Sequence, residues 1–234
     1  MDPRVRSLQW TRRTKIFRYC IVPLFLSHRV LLLHIPKCGG DTFSHALRKA
    51  GDPPFLFVAD GSVLTNGHTP QHMTWRELCQ AGWNTPPDFR VIAFVRHPVE
   101  RVLSAYRYIH LARPDLVHMA KNPAQFMDYF FSRDATLRKR FDHHNMAIVE
   151  FLKDAEGNIE ESIEIHHISE MNAVLESLGL SGVAENERRN VTSVNADFQP
   201  RHLRRIRKTM EADIAWFEAR FPQFQEFSND GVQR

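Results

Sequence analysis

Short apolar runs alternate with amphipathic segments along this chain of 234 residues. Runs that are apolar at nearly every position are typical of buried strands, whereas apolar residues that recur every three to four positions are typical of helices. The pattern predicts strands over 30–35, 55–58, 90–95 and 163–168. It predicts helices over 42–50, from 74 onward, and over 98–113, 123–132, 137–153, 170–178 and 200–221. Strands that alternate with helices indicate an α/β fold with a mainly parallel sheet.

Local signals set several of the helix ends. Thr74 and Glu77 have the spacing of a capping box, so a helix is expected to begin at Thr74. Pro98 and Pro200 each stand where a first helical turn would begin, a position that favours proline. Gly51 is expected to end the first helix, because glycine is common just after the last helical residue.

The first predicted strand runs directly into a lysine and two glycines. The segment His34-Ile35-Pro36-Lys37-Cys38-Gly39-Gly40-Asp41-Thr42 leads from this strand to a helix start. A tight turn before a helix offers backbone N–H groups and the positive end of the helix dipole, and here a lysine is added. The segment therefore predicts a site for a phosphate or sulfate group. It is not a Walker A loop, because that motif places its lysine after the last glycine.

A second candidate anion site follows the third predicted strand. Arg96 lies in the turn and Ser104 lies two turns into the next helix, so a guanidinium and a hydroxyl could hold one phosphate. The alternative is that Arg96 pairs with an acidic residue and Ser104 is merely exposed. Helical spacing places four apolar residues on the face expected to pack on the sheet: Val99, Val102, Leu103 and Tyr106. Arg101 and Ser104 fall on the opposite side.

These two segments resemble motifs of a known enzyme family. Both leave the carboxyl end of a predicted strand, the edge at which α/β folds bind ligands. Residues 35–42 resemble the 5′-phosphosulfate loop of sulfotransferases that use 3′-phosphoadenosine-5′-phosphosulfate (PAPS), and residues 96–106 resemble their 3′-phosphate motif. The most similar branch is that of carbohydrate and heparan sulfate sulfotransferases. The resemblance implies a single P-loop-like α/β domain with a central, mainly parallel sheet flanked by helices.

The resemblance also implies an activity and a set of site residues. The expected reaction moves a sulfuryl group from PAPS to an acceptor hydroxyl, expected to belong to a carbohydrate, and leaves 3′-phosphoadenosine-5′-phosphate (PAP). Lys37 would stabilise the leaving group and His68 would act as the base, with His72 as the alternative base. The implied PAPS-binding positions are Lys37, Cys38, Gly39, Gly40, Asp41, Thr42, Arg96, Ser104, Asn190 and Ser193. No metal is expected.

Some residues depart from the family pattern or have a second interpretation. Cys38 and Asp41 stand where the family more often has threonine or serine, and Asp41 can cap the helix instead of touching the ligand. His34, placed inside the first strand, is expected to be structural. The adjacent histidine pairs at 143–144 and 166–167 are expected to be structural or to face the substrate, because the side chains of neighbouring residues seldom converge on one metal ion.

Composition and charge narrow the remaining choices. The net charge of +4 suits an anionic ligand and does not indicate nucleic acid. Three unpatterned cysteines favour reduced thiols and a cytoplasmic location. The apolar run over 19–26 is too short to span a membrane and leads into the first strand, so neither a membrane span nor a cleaved signal is expected. Residues 1–28 are interpreted as a basic N-terminal arm or helix, and residues 29–234 as the domain.

Two alternative functions stay open at this point. A P-loop nucleotide kinase would need a Walker A lysine and an acidic metal ligand after a strand, and neither is found in the sequence. A catalytically inactive nucleotide-binding protein would bind PAP without turnover. The basic stretch over 201–208 is a solvated helix face, or it attracts an anionic acceptor. The oligomeric state is not predicted.

Overall fold

The computed structural model describes residues 23–55, 70–180 and 197–224. Within these ranges four strands form one sheet in the order β1-β2-β3-β4. They are β1 (Leu24–Phe25), β2 (Val30–Leu32), β3 (Arg90–Val95) and β4 (Ile163–His167). β1 is antiparallel to β2, whereas β2, β3 and β4 are parallel to one another. The carboxyl ends of the three parallel strands therefore meet at one edge of the sheet.

Nine α-helices lie in the described ranges and flank this sheet. They are α1 (Gly40–Lys49), α2 (Trp75–Gln80), α3 (Pro98–Ala112), α4 (Pro123–Phe130), α5 (Ala135–Arg140), α6 (Ile148–Leu152), α7 (Met171–Ser177), α8 (Pro200–Thr209) and α9 (Glu211–Arg220). The capping box before α2 is confirmed, because Thr74 Oγ1 accepts from the Glu77 N–H and the Glu77 carboxylate accepts from the Thr74 N–H. The predicted α/β fold, with a mainly parallel sheet flanked by helices, is confirmed.

The predicted packing of α3 on the sheet is wrong. Val99, Val102 and Tyr106 belong to a second hydrophobic cluster, formed with α4 and α8 and separate from the cluster around the sheet. Arg101, on the side of α3 that helical spacing places opposite this face, is also buried and is only 1% exposed.

Three predicted elements are shorter or interrupted. The first strand ends at Leu32 rather than at residue 35, so His34 lies in the following loop. The predicted helix over 137–153 is two helices, because Asp142 and His143 in the intervening turn have φ values of 47° and 63°. Left-handed residues cannot continue a right-handed helix. The predicted helix over 200–221 is interrupted at Met210.

Two predicted segments fall largely outside the described residues. Of the predicted strand over 55–58, only Phe55 is described, and it forms an isolated antiparallel bridge with Leu24. Residues 1–22, most of the predicted basic arm, are also outside, so the arm and its boundary stay predictions. Among the helices that the structure describes, none combines the length and the apolar character needed to cross a membrane.

The buried guanidinium of Arg101 joins α3 to two separate segments. Its Nε donates to the Pro36 carbonyl at 3.0 Å, and its Nη1 and Nη2 donate to the carbonyls of Met146 at 2.5 Å and His143 at 3.4 Å. Burial lowers the pKa of Arg101, and the negative charge of Asp213 opposes that effect. The side chain stays charged in its buried position.

We predict that Arg101→Met lowers the free energy of unfolding by about 3–5 kcal/mol, because it leaves buried polar partners unsatisfied. Urea denaturation with matched m-values measures this loss. Arg204→Met, at an exposed position of α8, is the control and should change stability by less than about 0.5 kcal/mol. Equal effects of the two substitutions would contradict a structural role for Arg101.

Candidate active site

The loop over 33–39 leaves β2 at the carboxyl edge of the sheet and leads into α1. Lys37 and Gly39 have φ values of 67° and 91°. Glycine adopts such a conformation readily, whereas a lysine there is strained by about 1–2 kcal/mol. The Thr42 and Phe43 N–H groups both donate to the Gly39 carbonyl, which starts the helix directly after this turn. The positive end of the α1 dipole therefore lies beside Lys37.

Close packing explains both glycines of the loop. A Cβ on Gly40 would lie 2.3 Å from Cδ2 of His34, and a Cβ on Gly39 would lie 2.7 Å from Cε of Met171. The buried His34 imidazole thus packs directly against the first residue of α1. His34 supports the loop from beneath and is not a strand residue.

The Lys37 ammonium rests on an aromatic ring. Its Nζ lies 3.9 Å from the centroid of the Tyr108 ring, and the side chain is half-buried. Burial lowers the pKa of Lys37 to about 8, while the nearby Asp41 opposes this shift and Arg96 adds to it. An ammonium that is partly desolvated and close to a second cation is well placed to bind an anion.

Arg96, in the turn before α3, lies close to the lysine loop. The Arg96 guanidinium donates twice to a Glu100 carboxylate oxygen, at 3.3 and 3.1 Å, and makes a long contact of 3.5 Å with the Lys37 carbonyl. The acidic pairing raised above as the alternative for Arg96 is therefore present. Glu100, Ser104 and Tyr108 are four residues apart and form one stripe of the helix. Ser104 therefore lies on α3 between Glu100, which contacts Arg96, and Tyr108, which contacts Lys37.

The two departures from the family pattern have separate explanations. Gly39 is the N-cap residue of α1 and no side chain caps this helix, so Asp41 does not cap it. The Asp41 side chain is 53% exposed, and its Oδ1 lies 4.0 Å from Nε2 of His34.

Cys38 is only 1% exposed and packs in the sheet core, so its backbone is the part that can face a ligand. Burial raises the pKa of the Cys38 thiol. Thr42 is half-buried in the first turn of α1.

A row of buried rings lies behind the lysine loop. His72 ends the 3₁₀ turn Pro70–His72 and contacts His34 on one side and His144 on the other, with centroid distances of 5.1 and 5.0 Å. His144 in turn stacks on Tyr108 at 5.3 Å, with the two ring planes 8° apart. The row therefore begins at the ring that holds Lys37 and ends at the imidazole that packs on Gly40. The helical spacing of Tyr108 from Ser104 could have indicated the first of these rings, but no sequence signal indicated the others.

Most of this row is electrically neutral. Burial lowers the pKa of His34 to about 4 and lowers the pKa of His144 well below its usual value, and the positive charge of Lys37 contributes to both shifts. His143 and His144 diverge, because their Nδ1 atoms face the carbonyls of His72 and Phe141, respectively.

One group of described residues has the spacing of metal ligands. Ligand atoms of His72, Asp142 and His144 lie within 4.8 Å of one another. The positive charges of Lys37 and Arg101 act on the same group and oppose a bound cation. We do not assign these residues as ligands, and the expected independence from metal stays a prediction.

Three predicted site residues lie outside the described part of the chain, so their roles stay predictions: His68, Asn190 and Ser193. In the pair at the end of β4, His167 caps the following 3₁₀ turn and stacks on Phe224 at 3.7 Å, which is a structural role.

Comparison with known families identifies the class of protein. A family model described as the sulfotransferase family matches residues 25–218, which is most of the chain. The chain belongs to the sulfotransferase family. This membership confirms the resemblance at the level of the family and supports a transferase that moves a sulfuryl group. Comparisons with curated proteins and with solved structures gave no match.

In this sulfotransferase, Gly40→Ala should destabilise the loop because the added methyl group would overlap His34. Alanine is otherwise the better helix former by about 1 kcal/mol, so the same change in a His34→Ala background should be neutral or stabilising. A double-mutant cycle measured by urea denaturation tests this change of sign. Equal effects of Gly40→Ala in both backgrounds would contradict the contact.

Proposed function

We propose that this sulfotransferase moves a sulfuryl group from PAPS to an acceptor hydroxyl, with a carbohydrate as the expected acceptor. The observation that carries the proposal is a stripe of α3 that contacts Arg96 through Glu100, contacts Lys37 through Tyr108 and includes Ser104, beside the start of α1. Glu100 and Tyr108, the residues that mark the two ends of this stripe, are eight residues or about 12 Å apart. A lysine and an arginine that contact different positions of one helix suit a ligand with a phosphosulfate at one end and a 3′-phosphate at the other.

Sulfuryl transfer depends mainly on the positioning of the reactants and on stabilisation of the charge that develops on the leaving group. The acceptor oxygen attacks sulfur in line, so that an oxygen–sulfur bond forms while the bond from sulfur to the bridging oxygen of PAPS breaks. The electron pair of that bond stays on the phosphate of PAP, where Lys37 and the first N–H groups of α1 can stabilise the new charge. The hydroxyl proton passes to a base, for which a histidine suits neutral pH. His68 or His72 fills this role.

The parts of this proposal rest on different observations. The carbohydrate acceptor rests on the resemblance of residues 35–42 and 96–106 to one branch of the family. The cytoplasmic location rests on cysteine content alone. The kinase alternative is disfavoured by the position of Lys37 before the glycines and by membership of the family. An inactive PAP-binding protein differs from the proposed enzyme only in turnover.

We predict that PAP raises the melting temperature of the protein, whereas ATP with magnesium has a much smaller effect. PAP carries the 3′-phosphate that Arg96 and Ser104 are proposed to bind, and ATP lacks it. Thermal shift measures binding, and transfer from ³⁵S-labelled PAPS to a panel of carbohydrate acceptors in the presence of EDTA measures turnover. Preference for ATP would overturn the proposal. PAP binding without transfer to any hydroxyl acceptor would indicate the inactive alternative, and loss of transfer in EDTA would indicate a metal.

The lowered pKa of Lys37 predicts a pH dependence of PAP binding. An anion binds the ammonium form more tightly, and that form is depleted in the free protein as the pH rises through about 8. Affinity should therefore be constant from pH 7 to 7.5 and fall above pH 8, by at most about tenfold per pH unit. Isothermal titration calorimetry between pH 7 and 9.5 measures this fall.

Two substitutions at the same position serve as controls for this pH dependence. Lys37→Arg keeps a positive charge across the range, so its affinity should not fall above pH 8. Lys37→Met should bind weakly at every pH and lose sulfuryl transfer. A wild-type affinity that stays constant up to pH 9.5, or an equal fall in Lys37→Arg, would remove Lys37 as the group responsible.

A further inference from the structure

The turn between α5 and α6 holds His72 at two points. The Asp142 Oδ2 lies 2.9 Å from His72 Nδ1, and His143 Nδ1 lies 2.9 Å from the His72 carbonyl oxygen. One residue of the turn thus fixes the imidazole and the next fixes the backbone that carries it. The two partners are about 70 residues away from His72 in the chain.

This turn has an unusual backbone that the surrounding structure maintains. Asp142 and His143 are consecutive non-glycine residues in the left-handed region, with φ values of 47° and 63°. Such conformations cost energy and persist where other contacts enforce them. Arg101 supplies such contacts, because its guanidinium donates to the carbonyls of His143 and Met146. The same side chain donates to Pro36, so the turn is braced against the lysine loop.

The contact with Asp142 selects one tautomer of His72. A carboxylate can only accept, so the neutral form of His72 carries its proton on Nδ1 and its lone pair on Nε2. The side-chain amide of the half-buried Gln71 lies 3.2 Å from that Nε2, which matches a donor facing an acceptor nitrogen. An acceptor hydroxyl that took the place of this amide would meet a nitrogen ready to receive its proton.

We propose that Asp142 and His143 are positioning residues that hold His72 as the base of sulfuryl transfer. The proposal rests on the proposed function and selects His72 from the two candidate bases. His72 contacts both His34, which packs on Gly40, and His144, which stacks on the ring that holds Lys37. Among the described residues, Asp142, His34 and His144 lie against the His72 imidazole, and Asp142 supplies a negative charge.

The test compares Asp142→Asn, His143→Asn and His72→Gln in the full chain, with PAPS and an accepted hydroxyl substrate. Asparagine tolerates positive φ better than most residues, so both turn variants should keep the fold. His72→Gln should lower kcat about 100-fold or more. Asp142→Asn should lower kcat about tenfold with little change in KM, because the imidazole loses the carboxylate that orients it.

The remaining variants separate positioning from general damage. His143→Asn keeps the Asp142 carboxylate but loses the imidazole that contacts the His72 carbonyl, so it too should lower kcat with little change in KM. Asp128→Asn, which removes an exposed carboxylate of α4, is the matched control and should behave as wild type. An Asp142→Asn enzyme with the wild-type kcat would overturn the proposal. Full activity of His72→Gln, with loss of activity in His68→Ala, would assign the base to His68 and also overturn it.

A spectroscopic measurement tests the arrangement without turnover. In ¹⁵N-histidine-labelled protein the His72 signals, assigned by comparison with His72→Gln, should report protonation at Nδ1 in the wild type and a mixed tautomer in Asp142→Ala. A mixed tautomer in the wild type would overturn the proposal even if transfer occurs. If no acceptor is sulfated while His72 is held as the Nδ1–H form, the proposed function fails and the two-point contact stands as a structural feature.

Discussion

The buried guanidinium of Arg101 connects the parts of this site that come from distant regions of the chain. It extends from α3 and donates to a carbonyl of the lysine loop, at Pro36, and to two carbonyls of the turn before α6, at His143 and Met146. The planar fork of donors suits acceptors that diverge from one another, which a lysine could not satisfy in the same way. Because separating either segment would leave buried polar groups unpaired, the loop and the turn hold a fixed spacing.

This arrangement leaves an excess of positive charge around the lysine loop. Lys37 and Arg96 lie beside the positive end of α1, and the nearest carboxylates, on Asp41 and Glu100, compensate them only in part. Burial lowers the pKa of Lys37 in the free protein, and the positive charge of Arg96 adds to this shift. A phosphosulfate would supply the missing negative charge, so binding should raise the pKa of the lysine. Burial also keeps the imidazoles of His34 and His144 neutral, and the positive charge of Lys37 adds to that effect.

The strands and helix starts that could be predicted correctly are those determined by local sequence signals. The strand Arg90–Val95, the helix start at Pro98 and the capping box at Thr74 follow from short apolar runs and from residue types with known positional preferences. The turn at Asp142 and His143 could not be predicted, because neither residue is a glycine and its backbone depends on distant contacts. Helical spacing placed Arg101 opposite the apolar face but could not indicate its burial, because the three carbonyls that satisfy it come from distant segments.

The proposed chemistry therefore depends on contacts that the motifs do not contain. The motif residues Lys37, Arg96 and Ser104 supply the groups that meet an anion, and their spacing follows from one strand–loop–helix unit and one helix. The relation between Lys37 and His72 has a different origin, because it passes through Arg101 and the two left-handed residues of the turn. A chain could keep both motifs and lose this relation through a single change in the turn. Membership of the family and possession of a working base are thus separate properties. The contacts of His72 concern the placement of the base.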